Sequence, residues 1–116
     1  MTVICFEVQG QAVPKQSFRY ARGRSFQTAS VREWQNAVGW AAREQLGNVM
    51  LGGDLRVKIQ FFLRRDAADL DNLAKGVLDG MQGIVYKNDI QIKELHLVKM
   101  LHSKAYVIVY VQEIER

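Results

Sequence analysis

Four carboxylates and a lysine crowd into one short stretch of a chain that is otherwise basic. Asp69, Asp71, Lys75, Asp79 and Asp89 fall within about twenty residues, while the formal net charge is +4. Asp69 and Asp71 are two apart, where an extended segment gives way to a helical pattern. In extended backbone, residues i and i+2 point the same way, so two carboxylates there can converge on one point. If Asp71 stands at or near the helix start, the positive end of the helix dipole faces that point too. Lys75 follows Asp71 by four residues, one helical turn along the same face. Asp89 sits on a separate loop just before a strand and can close the site from across. Hard oxygen ligands of this kind suit Mg²⁺, which takes one or two carboxylates, keeps several waters and shares substrate phosphate. The chemistry implied is metal-assisted handling of a phosphate.

Each of these residues also has an ordinary reading. Asp69 or Asp71 can cap a helix. Lys75 and Asp79, at i and i+4, can form a surface pair contributing a few tenths of a kcal/mol. Asp89, after Asn88, can be a turn residue. His96 and His102 add nothing to a metal site: neither has ligand spacing with another histidine, and both read as structural or exposed.

The elements that position these groups are legible from periodicity. Residues 2–8 form a β-branched run and read as a strand. Residues 9–29 are long, basic and glycine-containing, and read as a loop or irregular ribbon, a connection of a length that is usually functional or disordered. Ser30 and Glu33 fit a capping box that opens a helix with Val31, Trp34, Val38, Ala41 and Ala42 on one face, and Gly47 stops it. Leu55, Val57, Ile59, Phe61 and Leu63 alternate with polar neighbours, a strand with one half-buried face. Leu70, Leu73, Ala74, Val77, Leu78 and Met81 recur at helical spacing, giving a second helix from about Asp71 to Met81. Residues 83–89 form a loop. Ile92 to Lys99 alternates again as a strand, 102–104 turns the chain, and 105–111 is a nearly continuous apolar run suited to a central strand buried on both faces. The order is β-α-β-α-β-β: an α+β fold, a single small domain over residues 1–116 with two helices packed on a mixed or antiparallel sheet of about four strands.

Composition sets the bounds. The 116 residues are 48% hydrophobic, enough for one domain with a modest core. No apolar run is long enough for a membrane helix, and MTVICFEVQG lacks the charged start and cleavage site of a signal peptide. The lone Cys5 sits in an apolar strand and reads as a packed thiol, and a reducing cytoplasm fits. Lys15, Arg19, Arg22 and Arg24 lie in ten residues without an acid, interleaved with Phe18, Tyr20 and Phe26. Basic side chains bind phosphate oxygens and rings stack on unpaired bases, so DNA contact is expected here, against the plainer reading of a solvated loop.

Taken together, Asp69-Leu70-Asp71-Asn72-Leu73, Lys75, Val77-Leu78-Asp79, Val85-Tyr86-Lys87-Asn88-Asp89, Gln91-Ile92 and Glu94-Leu95-His96 resemble the RusA family of Holliday-junction resolvases, small DNA endonucleases of bacteria and their phages. Residues 10–19, with Pro14, Lys15 and Arg19, are similar to the family's basic N-terminal loop. The resemblance implies that Asp69, Asp71 and Asp89 are the acidic metal-site residues for Mg²⁺ and that Lys75 is the catalytic lysine. Asn72 and Asp79 become candidates for holding those groups in place, Asp79 by steadying Lys75. It further implies a homodimer acting on four-way junction DNA, with no membrane partner. Two departures concern loop shape only: Ile90 stands where a small polar residue is expected, and Gln27-Thr28-Ala29 lacks a proline before the first helix. The alternatives are a non-catalytic DNA-binding module, or a metal-dependent nuclease acting on flaps or RNA.

Overall fold

The structure, a computed structural model, describes residues 3–15, 19–21, 24–26 and 28–115, with only the backbone of 19–21 and 24–26. Strand β1 (Val3–Gln9) is followed by a short antiparallel hairpin, β2 (Arg19–Ala21) and β3 (Arg24–Phe26). Helix α1 (Ala29–Leu46), strand β4 (Leu55–Leu63), helix α2 (Leu70–Met81), a 3₁₀ turn (Asp89–Gln91), β5 (Ile92–Leu101) and β6 (Tyr106–Glu113) complete the chain. The segment read as a loop or ribbon thus carries its own hairpin. Phe18 and Arg22 lie outside the described residues.

The main sheet is mixed, in the order β1-β6-β4-β5. β6 pairs antiparallel with β1 and with β4, whereas β4 and β5 run parallel. That parallel pair requires a crossover, and α2 supplies it. The period-two pattern of β4 is realised: Leu55, Val57, Ile59, Phe61 and Leu63 are all buried. They meet Phe6, Val8, Val107, Val109 and Val111 from the neighbouring strands and Trp34, Val38, Leu73, Val77 and Met81 from the helices in one core.

Three local expectations need correction. The cap of α1 is Thr28, whose hydroxyl accepts from the Val31 N–H at 3.4 Å, and Ser30 lies inside the helix. β6 is buried on one face only: Tyr106, Ile108 and Tyr110 are half-buried on the face opposite the helices. Two helices cover one side of the sheet, and the other side is partly covered by its own side chains, with Phe62 stacked on Tyr106 at 4.3 Å between centroids. Cys5 points to this second face and is exposed rather than packed. Gly47 ends α1 as expected, at φ 71°, a left-handed conformation that glycine adopts without Cβ strain.

The two helices touch almost backbone to backbone. A Cβ built on Gly80 would stand 2.8 Å from both the Gln35 carbonyl oxygen and Val38 Cβ, and one on Gly39 would stand 2.7 Å from Ile84 Cδ1. Gly76 allows a third approach, of α2 to the Val13 carbonyl and the Trp34 ring.

Candidate active site

Helix α2 carries most of the candidates. It begins one residue earlier than its apolar spacing indicates, so Asp69 rather than Asp71 is the N-cap, and Asp71 lies in the first turn. Asp69 has the extended backbone of a capping residue (φ −73°, ψ 146°), yet its side chain makes no capping hydrogen bond. Its carbonyl accepts the Leu73 N–H at 3.0 Å, but the carboxylate is left facing solvent at the positive end of the helix. Asp71 and Lys75 are likewise exposed, and among the described residues neither is in an ion pair.

The loop leading into α2 is fixed by a lysine that sequence reasoning left out. Lys99 on β5 pairs with Asp66 at 2.6 Å and donates to the Ala68 carbonyl at 2.8 Å. A cation therefore stands beside the loop that delivers Asp69. Nothing local in the sequence marks Lys99 for this role; only the parallel pairing of β5 with β4 brings it there.

Asp79 does not hold Lys75. It forms an ion pair with Lys15, and the Lys15 N–H donates to the Asn72 carbonyl at 2.9 Å. The segment ahead of the basic hairpin is thereby strapped along α2. Lys15, expected among the DNA contacts, serves as an anchor for that segment, and Asn72 contributes through its backbone. Arg19 and Arg24 follow on the hairpin, where Arg19 is paired with Phe26 and Ala21 with Arg24.

Asp89 is positioned by neutral residues. Asn88 caps the 3₁₀ turn by accepting from the Ile90 N–H at 3.0 Å, so the Asp89 carboxylate is not needed for the turn. The Asp89 N–H donates to Gln82 Oε1 at 3.1 Å. Gln91 accepts from the Lys87 and Asn88 N–H groups at 3.1 and 3.0 Å and donates to the Leu51 and Gly53 carbonyls at 3.1 and 3.0 Å. Beneath lies the fully buried Tyr86, whose hydroxyl donates to the Leu78 carbonyl at 2.6 Å. Burial, then the charges of Asp89 and Asp79, push the Tyr86 phenol above its ordinary ionisation range.

The structure does not bring all three expected ligands together within one chain. Asp69 and Asp71 stand at the start of α2, and Asp89 is tied to Gln82 just past its end. Twelve helical residues separate the two ends by about 18 Å at roughly 1.5 Å per residue. Among the described residues, no three His, Cys, Asp or Glu side chains lie close enough together to hold a metal ion. His96 is exposed on β5, and the His102 ring accepts the Lys104 N–H at 3.1 Å, so both fit the structural reading.

A mixed α+β domain with a carboxylate pair at a helix start, and with the segment that leads to a hairpin carrying Arg19 and Arg24 strapped along that helix, has the makings of a protein that works on phosphodiesters. The family model for endodeoxyribonuclease RusA matches residues 8–112, nearly the whole chain, and the chain belongs to that family of DNA-cleaving enzymes. No significant match among curated proteins accompanies it. In the described residues no helix is long and apolar enough to cross a membrane.

Proposed function

We propose that residues 1–116 form one Mg²⁺-dependent endodeoxyribonuclease domain that cleaves four-way DNA junctions as a homodimer, in recombination and repair. The observation that carries this reading is Asp69, a carboxylate at the N-cap that does not cap. Ser, Thr, Asp and Asn are favoured at that position because they satisfy helix N–H groups. A carboxylate left out of that bond, two residues from Asp71, keeps its oxygens for an external cation.

The donor set fits Mg²⁺ in part. Asp69 and Asp71 match its habit of one or two carboxylates plus substrate phosphate, while Asp89 of the same chain stands too far along α2 to join them. When bound, the ion neutralises phosphate charge and acidifies a water for hydrolysis. Lys75, one turn from Asp71, offsets the negative charge that grows on the phosphorus oxygens. Arg19, Arg22 and Arg24 supply backbone phosphate contacts. A non-catalytic DNA-binding module gains nothing from Asp69 and Asp71, because carboxylates repel phosphates unless a cation intervenes.

A second copy of the chain supplies what one chain lacks. β5 is an edge strand, and Leu95, Leu101 and the neighbouring Ile90 are 44%, 65% and 72% exposed. Natural sheets rarely leave such an apolar edge open. Two β5 strands meeting antiparallel about a two-fold axis would lay the Asp89 end of each beside the Asp69 end of the other. The departure at Ile90 fits here, as an apolar contact beside Asp89. The test is cleavage of a synthetic four-way junction, a flap and a linear duplex, with Mg²⁺ and with chelator. Selective, Mg²⁺-dependent cutting of the junction is expected, and equal cutting of the linear duplex would overturn the substrate assignment.

A further inference from the structure

A groove of about 440 Å³ runs between α1 and α2 on their side away from the sheet. The close approach at Gly39 and Gly80 forms its floor. Its walls carry Gln35, Asn36, Trp40 and Arg43 from α1 and Asp79 and Gln82 from the end of α2 and just beyond. The volume lies within the range of small-molecule sites.

Two features of this groove are unexplained by folding, and a third ties it to the candidate active site. Trp40 is 71% exposed, whereas Trp34 on the same helix is 5% exposed and packed in the core. A large ring left in water on a helix that has already buried its apolar face contributes little to the fold. Second, Gln35 Nε2 is buried and has no hydrogen-bond partner among the described residues. Trp34 Nε1 in the core is also without a partner, so what sets Gln35 apart is its place: a swing of its carboxamide into the groove would give that donor an acceptor there. Third, Gln82 links the groove to the candidate active site, because its Oε1 holds the Asp89 N–H.

The chemistry of the walls selects the occupant. An indole face accepts a flat π system, carboxamides offer both donors and acceptors to a heterocycle edge, and the Arg43 guanidinium suits a phosphate. We propose that this groove receives an unstacked nucleobase of the DNA, on the Asp89 side of the chain where, in the dimer proposed above, a second copy brings its Asp69 end, with Trp40 as its stacking platform and Gln35 and Asn36 reading its edge. The proposal rests on the nuclease reading above and adds to it the place where a preference for one base is set. A base leaves its stack most cheaply where pairing is already broken, as at the centre of a branched structure.

Two measurements test it. Short single-stranded oligonucleotides titrated into the protein with chelator should quench tryptophan fluorescence in the wild type, and the quench should vanish in Trp40→Phe, since Trp34 is shielded in the core. Four-way junctions carrying one abasic nucleotide, scanned through the positions flanking each cut, are then bound to wild type and Trp40→Ala. At one position, loss of the base should weaken wild-type binding roughly 5- to 150-fold, the scale of one base–aromatic stack. Trp40→Ala should be insensitive at that position, and Asn36→Ala should alter which base is preferred there. Losses that multiply at every position, or a quench that survives Trp40→Phe, would overturn the pocket. So would conversion of a dimer to monomer by Trp40→Ala, which would make the groove an interface between copies. If the wild type cuts no junction but the Trp40-dependent quench persists, the nuclease reading falls and the pocket stands. Junction cleavage without the quench has the opposite meaning.

Discussion

Replacing Asp69 by alanine separates the two roles an N-cap carboxylate can have. An ordinary capping Asp costs about 1 kcal/mol, within a range of roughly 0.5–2, when truncated to alanine. Here there is no capping bond to lose. What remains is the attraction of an exposed carboxylate for the helix N-terminus, about 0.3–1 kcal/mol and screened by salt. For a domain near this size, 1 kcal/mol moves the melting temperature by about 4 °C. Asp69→Ala should therefore melt within roughly 1–4 °C of wild type, and less at high salt. Junction cleavage should fall by roughly 10²-fold or more, the scale of removing one group that stabilises transition-state charge. Junction binding in chelator should hold or tighten, since one source of repulsion for phosphate is gone. Thermal melts, gel shifts and cleavage time courses on one preparation decide the matter. A melting temperature lower by about 8 °C with cleavage near the wild-type rate would show that Asp69 is a structural cap and would remove the main support for the metal site.

Four further outcomes follow. Lys75→Ala should slow turnover by roughly 10²–10³-fold with little change in melting, because Lys75 is exposed and in no ion pair among the described residues; unchanged turnover would return it to the solvated surface. Asp71→Asn and Asp89→Asn should each be inactive alone, yet regain nicking when the two proteins are mixed and allowed to exchange subunits, because one of the two shared sites is then intact; no recovery despite exchange would place all the ligands in one chain. Gly80→Ala forces the helices apart, since its Cβ would meet Gln35 O and Val38 Cβ at 2.8 Å, and should cost about 1–3 kcal/mol in a urea melt; a neutral result would mean that the helices are not in such close contact. Tyr86 keeps its proton in the fold above the ordinary range near pH 10, so the stability it contributes is whole below that pH and declines above it, where the unfolded phenol ionises first; Tyr86→Phe should flatten the alkaline fall in melting temperature, and an unaltered slope would assign it to another group.

What could be read from the sequence was what local periodicity encodes. The strict alternation of β4 and the apolar spacing of α2 each fix a face, so both elements came out with correct faces and nearly correct ends. The start of α1 did not, because Thr28 and Ser30 offer the same hydroxyl chemistry two residues apart and only the backbone decides which one turns the helix. β6 looked buried on both faces because tyrosine and isoleucine count as apolar, but Tyr106 and Tyr110 can line a half-open face with their hydroxyls toward water. Cys5 was misplaced for the same reason. The candidate site divides along the same line. Residue types and a helix start close to the Asp69–Asp71 pair were legible, whereas which of the two stands at the N-cap and the distance across α2 to Asp89 were not, since closeness in sequence carries no length once a helix intervenes. The pairs Lys15–Asp79 and Lys99–Asp66 join parts of the chain far apart in sequence, and no local pattern announces them.

Gln91 has a consequence for how such a site is lost or searched for. Its single carboxamide oxygen takes two backbone N–H groups, and its single nitrogen serves two carbonyls. Only an amide of that length offers both halves. A glutamate would set a carboxylate against two carbonyl oxygens, and a leucine would leave two donors and two acceptors unserved. Every ionisable group could then stand untouched while the turn beneath Asp89 slips its moorings. A survey of this enzyme confined to charged positions would pass over Gln91, and an inactive variant there would look like a folding defect although the core had not changed.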